Sequence, residues 1–482
     1  MTRPAEFLAG RVFAQHPEHL VGDGAGMHLV YSHPILTNHE RLIRVFGLLF
    51  AALAAVQVGR LTEFALDPSR TTVAVYPFDQ FYVRHSCLSA YFLAAKLGRA
   101  RVSNLYDRAH YAGALGSFNI DPYLYPPQFL VLPRALLDIT ADFHRFRIIW
   151  FILEIVGFVG AVLVVARWIG GPQGRKVLIF SGLLLAAVPT AMTLQLGNFQ
   201  ILALAMAMLA MVLIELDFVP LGALLLAFVA ASKLFPGILV IWLAFQRRWR
   251  AVAWVFGWNL VLLLATVLWF GWSPTRAFFQ YEMPLLTFPL YGPIDIVMTP
   301  LGGKIAALNY GVTSIVPKLR ALGWTSLGFG TFQTVRLLYL LLLIGLFVRL
   351  RDAFSARLNM ARDGAASFRL HRAQTWLALL NLASFFSPFA PDVYAVVGTL
   401  WLLILILPEV RFTWATLTVL VVVWLALNVV APLGPDAPEV GLVTRTLFGF
   451  FVQVILIVVN VRVLLDANWS LVVAAGLRKS LV

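Results

Sequence analysis

Cysteine is nearly absent from this chain: Cys87 is the only one in 482 residues. That excludes an internal disulfide and any multi-cysteine metal or iron–sulfur site. Charge is scarce as well, at 12% of residues against the roughly 25% usual in soluble domains, while 60% are hydrophobic. A soluble globular protein is therefore excluded. Acidic residues are few, 23 against 37 Lys and Arg, leaving a formal charge of +14. The basic residues lie in short loops between apolar runs, which fits the positive-inside rule and no nucleic-acid partner. Several motifs are missing. Gly302-Gly303-Lys304 lacks phosphate-loop spacing, and there is no HExxH, GxSxG or DxD pair. Residues 1–41 also lack the early apolar core of a cleavable signal peptide.

What is present is a series of apolar runs near the length of a bilayer crossing, the mark of an all-α multi-pass membrane protein. A polar tail, 1–41, carries five of the nine histidines in no compact ligand pattern, and one membrane-embedded domain, 42–482, follows. The first span, Leu42 to Val58, reads as an uncleaved signal anchor. Residues 60–142 hold no full span, although 127–137 suits an embedded half-helix. From Phe81 the positions Phe81, Leu88, Phe92 and Leu97, with Arg84, Lys96, Arg99 and Arg101 interspersed, predict a helix lying on the membrane surface. Continuous spans are expected at about 143–166, 177–194, 199–216, 249–270, 329–348, 375–388, 391–407, 412–430 and 441–465.

The stretch 219–246 is interrupted by Lys233 and Pro236. Each half has about 12 residues, roughly 18 Å of helix against a core of about 30 Å, so neither crosses alone. Arg247, Arg248 and Arg250 follow it, and Arg167, Arg175 and Lys176 precede the 177–194 span. Both clusters are cytoplasmic only if 219–246 returns to its starting side. The basic loop 349–372 and both termini then fall inside, and the long loops 60–142 and 271–328 share the outer face.

Several polar groups converge on that face: Asp79, the Gly197–Gln200 turn, Lys233, Asn309 and the segment Ser387–Tyr394. Turns are polar in any protein, but a lysine in an apolar stretch costs about 2.5–3.5 kcal/mol on insertion scales and needs an anionic partner or a cavity. A phosphate is one such partner. Glu154, inside its own span, is the other notable charge and could pair with a cation across the bundle.

The order of motifs resembles the polyprenol-phosphate-mannose-dependent α-mannosyltransferases of glycosyltransferase family 87. The resemblance runs over nearly all of the chain after residue 42. It is carried by Asp79-Gln80-Phe81-Tyr82, Leu105-Tyr106-Asp107 and Tyr125-Pro126-Pro127. The turn Gly197-Asn198-Phe199-Gln200 matches with its two amides exchanged. The closest match is Ser232-Lys233-Leu234-Phe235-Pro236-Gly237 followed by Arg247-Arg248-Trp249-Arg250. Asn309–Ser314 and Ser387–Tyr394 are looser, the second with Pro391 and Asp392 where tryptophan and histidine are usual.

The resemblance implies a GT-C type bundle of about 10–12 transmembrane segments with the active site on its extracytoplasmic loops. It implies an inverting transfer of a sugar, mannose by default, from a polyprenyl-phosphate donor to a glycolipid or glycan acceptor, in contact with membrane lipids and without metal or other cofactor. One in-line displacement needs one base, for which Asp79 is the choice. Lys233, with Arg84 and His85, is expected at the donor phosphate. Asn198, Gln200, Asn309, Tyr125, Asp392 and Tyr394 are candidate sugar or acceptor contacts. The expected location is a bacterial plasma membrane with both termini cytoplasmic. A transporter or flippase of a lipid-linked sugar is the alternative, since a broken helix with a lysine suits it too.

Overall fold

In a computed structural model, residues 38–284, 307–357, 365–387, 390, 392–410, 414–430, 433 and 441–479 are described. Helix α1 (Asn38–Leu66) leads into a stretch of short elements. These are α2 (Gln80–Arg84), α3 (Cys87–Arg99), the hairpin β1 (Ala114–Leu115) and β2 (Phe118–Asn119), and α4 (Val131–Ile139). Then come α5 (Phe143–Ile169), α6 (Gly171–Leu185), α7 (Val188–Leu196), α8 (Gln200–Glu215), α9 (Val219–Lys233), α10 (Gly237–Phe245) and α11 (Trp249–Phe270). Short helices α12 (Ser273–Ala277) and α13 (Ile315–Ala321) precede α14 (Phe329–Arg357), α15 (Ala365–Phe385), α16 (Asp392–Ile406), α17 (Trp414–Asn428) and α18 (Leu442–Lys479). Among the described residues five helices are long and apolar enough to cross a membrane, and six spans result if α6 and α7 count as one bent crossing. The protein is an all-α polytopic membrane protein.

Two expectations about continuity are corrected. The 177–194 span is broken: α6 and α7 meet at 65°. Pro189, in the first turn of α7, has no N–H to continue the ladder. The Val188 N–H, left outside the ladder, is taken up by Asn428 Oδ1 at 2.8 Å. The surface helix from Phe81 is likewise two helices, with His85 and Ser86 extended between them. Leu88, Tyr91, Phe92, Ala94 and Ala95 of α3 are buried in the protein rather than laid on lipid.

The return of 219–246 is observed directly. Glu215, ending α8, forms ion pairs with Arg248, just before α11, at 2.8 Å, and with Arg372 at 2.7 Å. Both ends of the α9–α10 pair therefore lie at one end of the bundle, and the break at 234–236 lies away from it. That first end carries Lys176, Arg248 and Arg372, with Lys176 donating to the Pro408 carbonyl at 3.3 Å and Gln374 to the Leu405 carbonyl at 2.9 Å. Helices α8 and α9 pack closely because Gly222 leaves its flank bare: a Cβ there would lie 2.6 Å from the Ala210 carbonyl oxygen.

The opposite end gathers the turns. Gly197, closing α7 at φ 66°, brings the chain against Leu88, and an added Cβ would meet Leu88 Cγ at 2.5 Å. Gly197→Ala is expected to cost about 1–3 kcal/mol through clash and left-handed strain. A lower apparent melting temperature in detergent would show it; an unchanged one would mean that Leu88 yields freely.

Beyond α12, Glu282 is a buried carboxyl with Arg108 Nη2 at 3.7 Å. Burial raises its pKa to about 7, the Arg108 charge opposing only in part. The folded state thus holds the proton more tightly than the unfolded chain. Its contribution is complete below the ordinary value of 4.5 and is lost as pH climbs through about 7. Melting temperature should fall between about pH 5 and about pH 8, and Glu282→Gln should flatten that slope.

Candidate functional site

The site is built where four chain breaks meet: between α2 and α3, between α7 and α8, between α9 and α10, and before α16.

Lys233 ends α9, and the next residue, Leu234, sits at φ 61°, a left-handed conformation costly for a side-chain-bearing residue. The Lys233 ammonium donates to Asn198 Oδ1 at 3.1 Å and lies 4.9 Å above the Tyr125 ring. Among the described residues no carboxylate is within ion-pair distance of it. An ammonium can only donate, and Asn198 Oδ1 also accepts from the Gln200 backbone N–H at 3.0 Å. The Asn198 amide is therefore fixed in orientation, with its NH₂ turned to Cys87 Sγ at 3.2 Å.

The sulfur stands at the centre of the cluster. It meets the Tyr394 hydroxyl at 3.2 Å and lies within 4.8 Å of a His85 ring nitrogen. On the other side His85 Nδ1 faces Asp121 Oδ1 at 3.2 Å, and the imidazole stacks on Phe81 at 5.0 Å. Burial by itself would lower the His85 pKa, but the adjoining Asp121 carboxylate together with Cys87 outweighs it and holds the imidazole well above its ordinary range. Ser89 Oγ accepts from the Asp121 backbone N–H at 2.9 Å and fixes the carboxylate's position. Tyr91 donates to the Tyr125 hydroxyl at 2.8 Å, completing an aromatic wall with Phe129.

Five of the ten residues expected from sequence thus share one network: His85, Tyr125, Asn198, Lys233 and Tyr394. Gln200 adjoins it through its backbone. Arg84 is exposed at the end of α2. Asn309 Oδ1 accepts from the Gly311 and Ala390 N–H groups at 2.9 and 2.8 Å, tying two loops together. The Asp392 side chain lies outside the described residues, as do the tail 1–37 and the loop 285–306. Asp79 is fully buried. One oxygen accepts from the Phe81 N–H at 2.9 Å, capping α2, and the other from the Leu433 N–H at 2.6 Å.

Sequence reasoning passed over Asp121 and Cys87. The available signal was the carboxylate four residues before Tyr125-Pro126-Pro127, and a thiol two residues after a candidate histidine. Glu154 meets no cation: among the described residues neither oxygen has a hydrogen-bond partner. It lines a small pocket together with Arg147, Trp150 and Gly197.

The all-α membrane scaffold thus brings together an ammonium held by an amide oxygen, a histidine–carboxylate pair and hydroxyl groups at the break between α9 and α10. Residues 123–370, half of the chain, match the model of glycosyltransferase family 87, and the chain belongs to that family. It is a membrane glycosyltransferase. The matched stretch holds Tyr125, Asn198 and Lys233; His85, Cys87 and Asp121 precede it and Tyr394 follows. Comparison with curated proteins and with solved structures gives no match.

Proposed function

We propose that this glycosyltransferase takes its sugar from a polyprenyl-phosphate donor, mannose by default, in a single inverting step on a GT-C type scaffold. The observation that carries this reading is Lys233: an ammonium at the tip of a returning helix pair, held by Asn198 without a carboxylate partner. A lipid phosphate supplies the missing anion, and its chain can lie among the apolar helices. The imidazolium of His85 adds a second cation beside it. Asp121, 21% exposed and paired among the described residues with His85, is the carboxylate placed to accept the proton of the attacking hydroxyl. As that hydroxyl bonds to the anomeric carbon, the carbon–oxygen bond to the lipid phosphate breaks, and the phosphate leaves against Lys233 and His85. No metal takes part in this step.

Asp79, with both oxygens on backbone N–H groups, holds α2 and the segment at 433 in place. Asn198, Tyr125 and Tyr394 contact donor or acceptor, and Gln200, Asn309 and Asp392 frame the site. The basic end of the bundle faces the cytoplasm of a bacterial cell and the site faces outward, where a glycolipid or glycan acceptor enters. Membranes containing the protein should transfer mannose from polyprenyl-phosphate mannose to an endogenous acceptor, with inversion at the anomeric carbon. Movement of intact lipid-linked sugar across sealed vesicles with no new glycosidic bond would instead establish the flippase reading.

A further inference from the structure

The cluster around Cys87 holds more than the proposed transfer requires. The ligand atoms of His85, Cys87 and Asp121 all lie within 4.8 Å of one another. A tetrahedral Zn²⁺, with bonds of about 2.0–2.3 Å, wants such atoms about 3.5 Å apart, and the His85–Asp121 separation of 3.2 Å is already close to that. We propose that His85, Cys87 and Asp121 form a three-ligand site for a soft divalent cation of the Zn²⁺ class, and that its occupation blocks the glycosyltransferase.

Ligand type favours such an ion, since imidazole, thiolate and carboxylate together suit Zn²⁺ and not the hard Mg²⁺ or Ca²⁺. The surroundings fit as well. Asn198, whose orientation is imposed by Lys233, points an N–H at the sulfur, the kind of outer contact that steadies a metal-bound thiolate. Phe81 stacks on the His85 ring and fixes its plane. Three protein ligands leave the fourth position for water. Binding withdraws both Asp121 and His85 from acceptor and phosphate, which is why an occupied site cannot transfer sugar.

Binding stands on the three ligand positions alone; only the block rests on the transferase reading. The test uses the full chain in detergent titrated with Cd²⁺, whose bond to sulfur gives a near-ultraviolet charge-transfer band. One Cd²⁺ per chain with that band is expected, displaced by Zn²⁺. His85→Gln and Asp121→Asn should each weaken binding at least about tenfold. Cys87→Ser should abolish the band, with tryptophan fluorescence as the check on folding. No band in the wild type, or equal affinity in His85→Gln and Asp121→Asn, would overturn the proposal, the latter showing a lone thiol at work. If Cd²⁺ binds as described and transfer proceeds undiminished, the site stands without its blocking role. If no transfer is found at all, the function fails and the metal site remains.

Discussion

Lys233→Met should give a protein that folds normally and transfers sugar about 10²–10³-fold more slowly, the usual cost of removing one charge-stabilising contact from a transition state. The two effects separate for a physical reason. The lysine contributes little to the fold, because it holds only an amide oxygen and an aromatic face while its charge must be carried in an apolar stretch. Methionine fills similar space without that cost, so the melting temperature should hold or rise. The loss should fall on kcat and on donor binding together, as the ammonium meets phosphate both before and during departure. A Lys233→Met protein that melts early and transfers at the wild-type rate per folded molecule would make the lysine structural and remove the main support for a phosphate donor.

The legible parts of this fold were those written in local chemistry. Lys233 and Pro236 inside an apolar run announced a break, and the basic clusters at 247–250 and before the 177–194 span announced the return; Glu215 holding Arg248 bears out that return. The break at Ala186–Ala187 was illegible to hydropathy, which stays high through it; Pro189 was the only mark. The candidate site was half-legible for a different reason. Lys233 and Asn198 are conspicuous where they stand in the sequence. Asp121 and Cys87 are not, because their meaning comes from partners 36, 111 and 307 positions away, His85, Asn198 and Tyr394. Asp79 shows the converse case. An aspartate in a turn opening a helix fits both a catalytic base and an N-cap, and only the fold shows its carboxylate engaged by two backbone N–H groups.

That ambiguity makes the second large effect a paired one. Asp121→Asn should cut transfer about 10²–10⁴-fold, the range for loss of a positioned general base, while changing stability by less than about 1 kcal/mol because the side chain is partly exposed. Asp79→Asn should do the reverse. Its carboxylate accepts from two N–H donors, and an amide has one oxygen, so either Phe81 or Leu433 would face an NH₂ group instead. A lost cap and a buried unpaired donor together amount to about 2–4 kcal/mol of destabilisation, with transfer per folded molecule largely kept. Thermal melts and single-turnover transfer on both variants decide the matter. If Asp79→Asn is stable and inactive while Asp121→Asn still transfers, the base is Asp79 after all, and the segment at 433 must swing away from it before an acceptor hydroxyl can bind.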